Sequence, residues 1–441
     1  MSGKGVARVA ALCCALLAPP SAALAQPKPG SALDGVELWV GSWLLRPTLT
    51  AGLYSGFGYD FNEPSRRAAG DQRRDAPTLG LSVQPGLIAE RRTGIHDTTL
   101  RWQGDARIGT GNADDRNVLD ANASLAHRYE IQRDLVMNLS TSFVRSTSTP
   151  IALNNLLFNP DLPTDGDGKP VDVPQSQTGK GGFPFREIYS NRLTATATVA
   201  KTFNRLFATL GGSVTSTTAT DRPDALRGIA MTADGETYDV HGRVGYKISP
   251  LLYGFIEPSA NFGRYDISRL DTNGQRIVAG IGSERFRLFR GEIFGGYQRQ
   301  EFELSGRAPT SGGTFGGSIT WDPTRDILIT VAANRSLGVS TLVSGRGTAG
   351  RSFASTSTTA SLTGTYALSR KLTLAAALGY SFVEEEGTGR EYDIRYAGAN
   401  LTYFLTHNLV LNAVYQYIEQ EESRGGTPGI NRLTVGAGVT F

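Results

Sequence analysis

Over most of the chain, apolar and polar residues take turns. Tyr238, Val240, Gly242, Val244, Tyr246 and Ile248 alternate with Asp239, His241, Arg243 and Lys247. Leu372, Leu374, Ala376, Leu378, Tyr380 and Phe382 alternate with Thr373, Ala375, Ala377, Gly379 and Ser381. Leu119, Ala121, Ala123, Leu125 and Tyr129 oppose Asp120, Asn122, Ser124 and Arg128; Leu100, Trp102, Gly104, Ala106 and Ile108 oppose Arg101, Gln103, Asp105 and Arg107. A period of two places successive side chains on opposite faces of a strand. The segments run to about ten residues or more, enough to cross a bilayer at a tilt of about 45°. A β-sandwich would bury its apolar face. Here the opposite face carries charges that cannot be buried dry without severe desolvation. The pattern predicts apolar faces toward hydrocarbon and polar faces toward a wet lumen.

Turn chemistry supplies a second regularity. Short connections recur at Arg92-Thr93-Gly94, Gln132-Arg133-Asp134, Asn204-Arg205, Ser249-Pro250, Arg285-Phe286-Arg287, Pro323-Thr324-Arg325, Arg370-Lys371 and Thr406-His407-Asn408. Longer polar links lie between them, the largest from Ser148 to Phe185. Tight periplasmic turns alternating with long outer loops are the asymmetry of outer-membrane barrels. The expectation is an all-β, closed, antiparallel transmembrane β-barrel of about 18 strands over residues 46–441. Segments Gln275–Glu284 and Gly313–Trp321 alternate least clearly, and without them the alternative is about 16 strands.

The two ends agree with this compartment. Lys4 and Arg8, the apolar run Val9–Leu17 and Ala23-Leu24-Ala25 form the pattern of a cleaved signal peptide over residues 1–25. Cys13 and Cys14 both lie inside it, so a mature chain has no thiol chemistry. Residues 26–45 are expected to be a short periplasmic segment, with Trp39 and Trp43 at the membrane interface. The last strand alternates to a terminal aromatic, Phe441, a feature of chains handed to the barrel-assembly machinery. Aromatics gather at both levels where interfacial girdles belong: Phe203, Tyr246, Trp321, Tyr403 and Phe441 by the turns, Phe57, Tyr59, Tyr189, Phe262, Tyr297, Phe382 and Tyr417 by the loops.

Composition narrows the classes further. The formal charge of +3 includes Lys4 and Arg8, leaving the rest nearly neutral and without the concentrated basic surface of a nucleic-acid binder. Glycine, at 53 of 441 residues, suits bends and close contacts in curved sheets and would weaken helices. His96, His127, His241 and His407 have no metal-ligand spacing, and only His241 clearly faces the lumen. Asp165–Asp172 lacks the downstream glutamate of a calcium loop. No catalytic constellation assembles, so no enzyme and no cofactor are expected.

The residues predicted to line the lumen are Arg101, Asp105, Arg107, Asp120, Arg128, Arg192, Asp239, His241, Arg243, Lys247, Glu257, Arg290 and Glu292. They favour a water-filled interior with a slight preference for anions, although opposite charges on neighbouring strands could pair along the wall. An apolar stretch in the longest loop, Ile151 to Phe158, is expected to fold into the mouth or pack on the rim. Glu384–Glu386 and Glu419–Glu422 would form an acidic outer rim able to hold divalent cations against lipopolysaccharide phosphates.

Gly41-Ser42-Trp43-Leu44-Leu45-Arg46-Pro47 leads into Tyr59-Asp60-Phe61-Asn62; Arg290-Gly291-Glu292, Gly296-Tyr297 and Ser318-Ile319-Thr320-Trp321-Asp322-Pro323-Thr324 follow later. In these motifs the chain resembles the outer-membrane β-barrel (porin-2-like) family of Gram-negative bacteria. The resemblance implies an outer-membrane channel, with exopolysaccharide export as one setting and periplasmic export proteins as partners; it carries over no catalytic residue. The expected function is a passive, porin-like pore; the alternative is a non-conducting structural or surface-binding barrel.

Overall fold

The protein, a computed structural model, is described over residues 37–61, 78–110, 118–147, 188–221, 231–232, 234–266, 271–286, 288–303, 309–340, 342–343, 353–385, 390–406, 409–422 and 429–440. The expected signal, the apolar loop stretch, the Asp165–Asp172 segment, His407 and Phe441 lie outside these residues, as do the side chains of some strand ends.

A short β1 (Leu38–Val40) turns through Gly41-Ser42 into β2 (Trp43–Phe61), pairing Val40 with Trp43. Gly41 has φ +62° there, as a two-residue hairpin turn requires. There follow β3 (Thr78–Thr93), β4 (His96–Thr110), β5 (Val118–Gln132), β6 (Leu135–Thr147), β7 (Ile188–Phe203) and β8 (Leu206–Asp221). After the two-residue β9 (Met231–Thr232) come β10 (Gly235–Lys247), β11 (Leu252–Tyr265), β12 (Thr272–Phe286), β13 (Phe289–Phe302), β14 (Thr310–Thr324) and β15 (Ile327–Ser340). The two-residue β16 (Leu342–Val343) precedes β17 (Phe353–Ser369), β18 (Leu372–Glu385), β19 (Arg390–Phe404), β20 (Leu409–Glu422) and β21 (Gly429–Thr440).

Every long strand pairs antiparallel with its neighbours in sequence, and β21 pairs with β2 from Thr50↔Thr440 to Phe61↔Gly429. The ring therefore closes with 18 strands. The two segments with the faintest alternation are strands β12 and β14, which removes the alternative of 16. All eight expected short connections join strands at one end of the barrel. At Asn204-Arg205, Asn204 takes φ +56°, a conformation asparagine tolerates better than most residues.

Register fixes the shape. Stepping from Thr50 through each paired strand returns to β2 about two dozen residues along, which gives a tilt of about 43° and a backbone diameter of about 38 Å. Inward side chains narrow that width but cannot fill it. The small ladder Thr232↔Leu342 and Met231↔Val343 joins the β8–β10 loop to the β15–β17 loop. Six strands separate these loops on the rim, a chord of about 33 Å, so the two meet across the mouth.

The outer surface is apolar. Val240, Val244 and Leu378 are 51%, 54% and 53% exposed, while Ala377, one residue from Leu378, is buried. Exposed Phe203, Tyr246, Trp321 and Tyr403 lie at turn level, joined by Phe289, whose ring stacks on Trp321 at 6.0 Å. Exposed Tyr238, Phe262, Tyr297, Tyr380 and Tyr415 form the upper girdle; Phe382 and Tyr417 are half-buried. Beyond that girdle the outer wall becomes ionic: Arg264 pairs with Glu303, Arg299 with Glu301, and Arg395 with both Glu419 and Glu421. Arg395 thus neutralises part of the expected acidic rim. Glu384 and Glu385 lie a strand further round, opposite Glu391 and Arg390.

Candidate functional site: the inward wall

Side chains identify which face is concave. Arg243 on β10 reaches Glu292 on β13 although β11 and β12 lie between them, with bonds of 2.8 and 3.2 Å. Side chains converge inside a curved sheet and diverge outside it, so this face lines the lumen.

Arg243 also donates to Glu257 at 2.5 Å, and the Tyr253 hydroxyl donates to Glu292 at 3.0 Å. The guanidinium lies 4.0 Å over the Phe255 ring. Phe255 is only 4% exposed and packs with Tyr253 and Val278, with Phe207 and Phe294 at the edge. Arg276 lies 4.9 Å over Phe294. An aromatic face attracts a cation, and the carboxylates offset the arginine's charge.

These rings lie flat because glycine faces them across the ladder. Phe255 pairs with Gly280, Tyr253 with Gly282, Phe207 with Gly245, Phe294 with Gly316 and Tyr396 with Gly379. At each glycine an added Cβ would overlap the partner ring. A missing side chain gives the ring its bed and keeps it out of the pore.

The predicted residues sort into groups on this face. Arg243, Glu257 and Glu292 come together in the cluster. His241 Nδ1 is 3.1 Å from Asp239 Oδ1. Arg128 donates to Glu130 at 3.1 Å. Asp105 lies opposite Asp120 in register and accepts from the Ser82 hydroxyl at 3.4 Å. Lys247 ends β10 at the turn, and Arg290 begins β13 exposed. Arg101 and Arg192 are half-buried, and the Nε of each has no acceptor among the described residues. Arg107 pairs with Val118 and Ser82 in register; its side chain lies outside the described residues.

Several lumen groups escape a reading by charge alone. Glu37, Arg46, Glu90, Arg92 and Asp97 form a chain of ion pairs at the turn end, with separations of 2.9 to 3.8 Å. Tyr253, Phe255 and Phe294 occupy polar-face positions, and the signal that marks them is a glycine directly opposite. His96 and His127, read as turn and strand-end residues, meet at 3.2 Å on the outer face. No group of three metal ligands occurs among the described residues.

The sequence profile of the family described as Putative beta-barrel porin 2 matches residues 173–441. No curated protein matches the chain. Among solved structures, the chain is similar to the outer-membrane channel DcaP of Acinetobacter baumannii, at 12% identity and a TM-score of 0.42, covering 93% of this chain and 100% of that one. It is also similar to OccAB4 of Acinetobacter baumannii (12%, TM-score 0.41) and OpdL of Pseudomonas aeruginosa (11%, TM-score 0.41), each covering 90% of this chain and 98% of the other. These likenesses are remote; the barrel rests on its own strand pairing.

Proposed function

The chain belongs to the Putative beta-barrel porin 2 family, and from that premise we propose that it is an outer-membrane channel for passive diffusion of small polar solutes, with a preference for anions. One observation carries the preference. Among the described residues, Arg101, Arg192, Arg276 and Arg290 face inward without a carboxylate partner. Of the inward acids, Asp239, Glu257, Glu292, Glu90, Asp97 and Glu130 each have a basic partner, and Asp105 and Asp120 set two carboxylates against those four arginines. The surplus field in the pore is positive, and a low-dielectric wall focuses it on passing ions.

A barrel of 18 strands is wide enough for water, which supports diffusion over a filled, non-conducting barrel. Polymer export with periplasmic partners would call for exposed rings along the pore. Tyr253 and Phe255 are buried against glycine instead, which favours small solutes. Insertion through the barrel-assembly machinery, acting on β21, belongs to the same reading.

Planar-bilayer recordings under a salt gradient test it. Discrete conductance steps with a reversal potential of anion-selective sign are expected, together with swelling of liposomes in small sugars. A silent bilayer would support the structural barrel, and a cation-selective sign would remove the role given to the arginines.

A further inference from the structure

At turn level most of the outer wall is aromatic or aliphatic. The wall of β3–β5 differs. Alternation on β3 turns Leu81, Leu87, Ala89 and Arg91 outward, while Glu90 and Arg92 point in and pair with each other. Arg91 lies opposite Thr98, and Thr98 lies opposite His127. One step nearer the turn, His96 lies opposite Tyr129 and stacks on its ring at 4.4 Å.

These side chains form a directed array. Thr98 Oγ1 is 2.8 Å from His127 Nδ1, and His127 Nε2 is 3.2 Å from His96 Nδ1. When the threonine hydroxyl donates, His127 donates on to His96, and His96 Nε2–H remains as a donor. Arg91 leans toward Trp43, 5.9 Å from its ring centroid; its Nε is buried, and no part of its guanidinium has an acceptor among the described residues, so its terminal nitrogens are the ones left for a ligand. It has no carboxylate partner among the described residues, because alternation sends Glu90 and Asp97 inside. Donors without acceptors on a lipid-facing wall need an anion that the membrane supplies.

We infer that Arg91, His96, Thr98 and His127, flanked by Trp43 and Tyr129, form a site for the phosphate of a phospholipid in the periplasmic leaflet. The site rests on the reading of the chain as an outer-membrane barrel. Its depth fits: Arg91 is three residues from the β3–β4 turn, within about 10 Å of the strand end, where headgroups lie. A planar guanidinium suits two phosphate oxygens, and Trp43 and Tyr129 suit the interface beneath.

Native mass spectrometry of the full mature chain, stripped of lipid in a neutral detergent, tests this. Titration with dioleoylphosphatidylglycerol should show one molecule held about tenfold more tightly than dioleoylglycerol, the scale of one charge-assisted bond. Arg91→Ala and His127→Ala should each lose most of that difference. Arg395→Ala, on the outer wall at the loop end, should keep it. Equal affinity of the unaltered chain for the two lipids overturns the site without recourse to any variant. Displacement of the phospholipid by millimolar inorganic phosphate would mean a free-anion site and would overturn the lipid assignment. Neither result depends on conductance, so the site and the channel can fail separately.

Discussion

Two arcs of the same wall use the period of two differently. On β10–β13 the inward side chains bind one another: Arg243 joins glutamates one and three strands away, and rings fill the glycine gaps around it. On β4–β7 threonine and serine are the commonest inward groups; Arg128 there pairs with Glu130, but Arg101 and Arg192 have no carboxylate partner among the described residues. The first arc ties its arginine into the wall; the second leaves two of its arginines facing the pore. The same period of two thus gives a tied sector and an open one, and neighbouring strands decide which.

The sharpest way to break the comparison is to remove one arginine from each arc. Arg243→Ala leaves Glu257 and Glu292, both mostly buried, facing each other without a cation. A loss of about 3 kcal/mol is expected, read as a lower urea midpoint for unfolding from lipid vesicles. Arg101→Ala removes no ion pair and should move that midpoint by less than about 0.5 kcal/mol. Equal losses would mean that both arcs are structural.

Crowding a ring bed comes next. At Gly379 an alanine methyl would occupy the space of the Tyr396 ring. Gly379→Ala should cost about 1–2 kcal/mol and turn the ring toward the lumen, lowering single-channel conductance. The companion change Tyr396→Ala in that background should restore conductance. Unaltered conductance in the single variant would mean that the ring can slide along the wall instead.

Selectivity should respond on the open arc. Arg101→Ala combined with Arg192→Ala is expected to reduce the anion-over-cation permeability ratio about threefold, near 0.6 kcal/mol for charges beside water. Arg243→Gln, tied to carboxylates in the native wall, should raise cation permeability by leaving Glu257 and Glu292 uncompensated. If the double variant leaves the reversal potential in place, the open arc does not set the field.

The strands and turns were legible in the sequence because both are local. Alternation over a dozen residues assigned faces, and Asn204-Arg205 or Arg370-Lys371 marked turns without knowledge of the rest. β12 and β14 read faintly because Gly280, Gly282 and Gly316 dilute the polar face; the rings that complete it, Phe255, Tyr253 and Phe294, come from other strands. Pairing was not legible. Nothing near Arg243 in sequence points to Glu292, 49 positions away, and the His96–His127 contact depends on the register of β4 against β5. Nor was the meeting of the β8–β10 and β15–β17 loops legible, since they lie six strands apart on the rim. With Cys13 and Cys14 in the expected signal, Thr232→Cys with Leu342→Cys should form a disulfide on oxidation, since opposed strand residues fit its span. Failure to cross-link would separate the two loops.

The smallest expected effect lies at the turn end of the open arc, where Lys201 on β7 donates to Asp134 in the β5–β6 turn at 2.6 Å. The bond from Lys201 holds the Asp134 carboxyl below its ordinary 3.8, with its own backbone and the lysine's charge acting in the same direction against slight desolvation. A carboxyl whose folded pKa lies below its unfolded one adds stability above the unfolded value and loses it as pH falls through the folded one. The wild-type midpoint should therefore decline below about pH 4 slightly more than that of Asp134→Asn, and the two should run parallel from pH 5 to 8. Because Asp134 is fully exposed, salt should erase the difference. The ion pair around Arg243, sheltered from solvent, should be less sensitive to the same salt. A salt response of equal size at both places would show that the two arcs share one dielectric, and the division between a tied and an open wall would go with it.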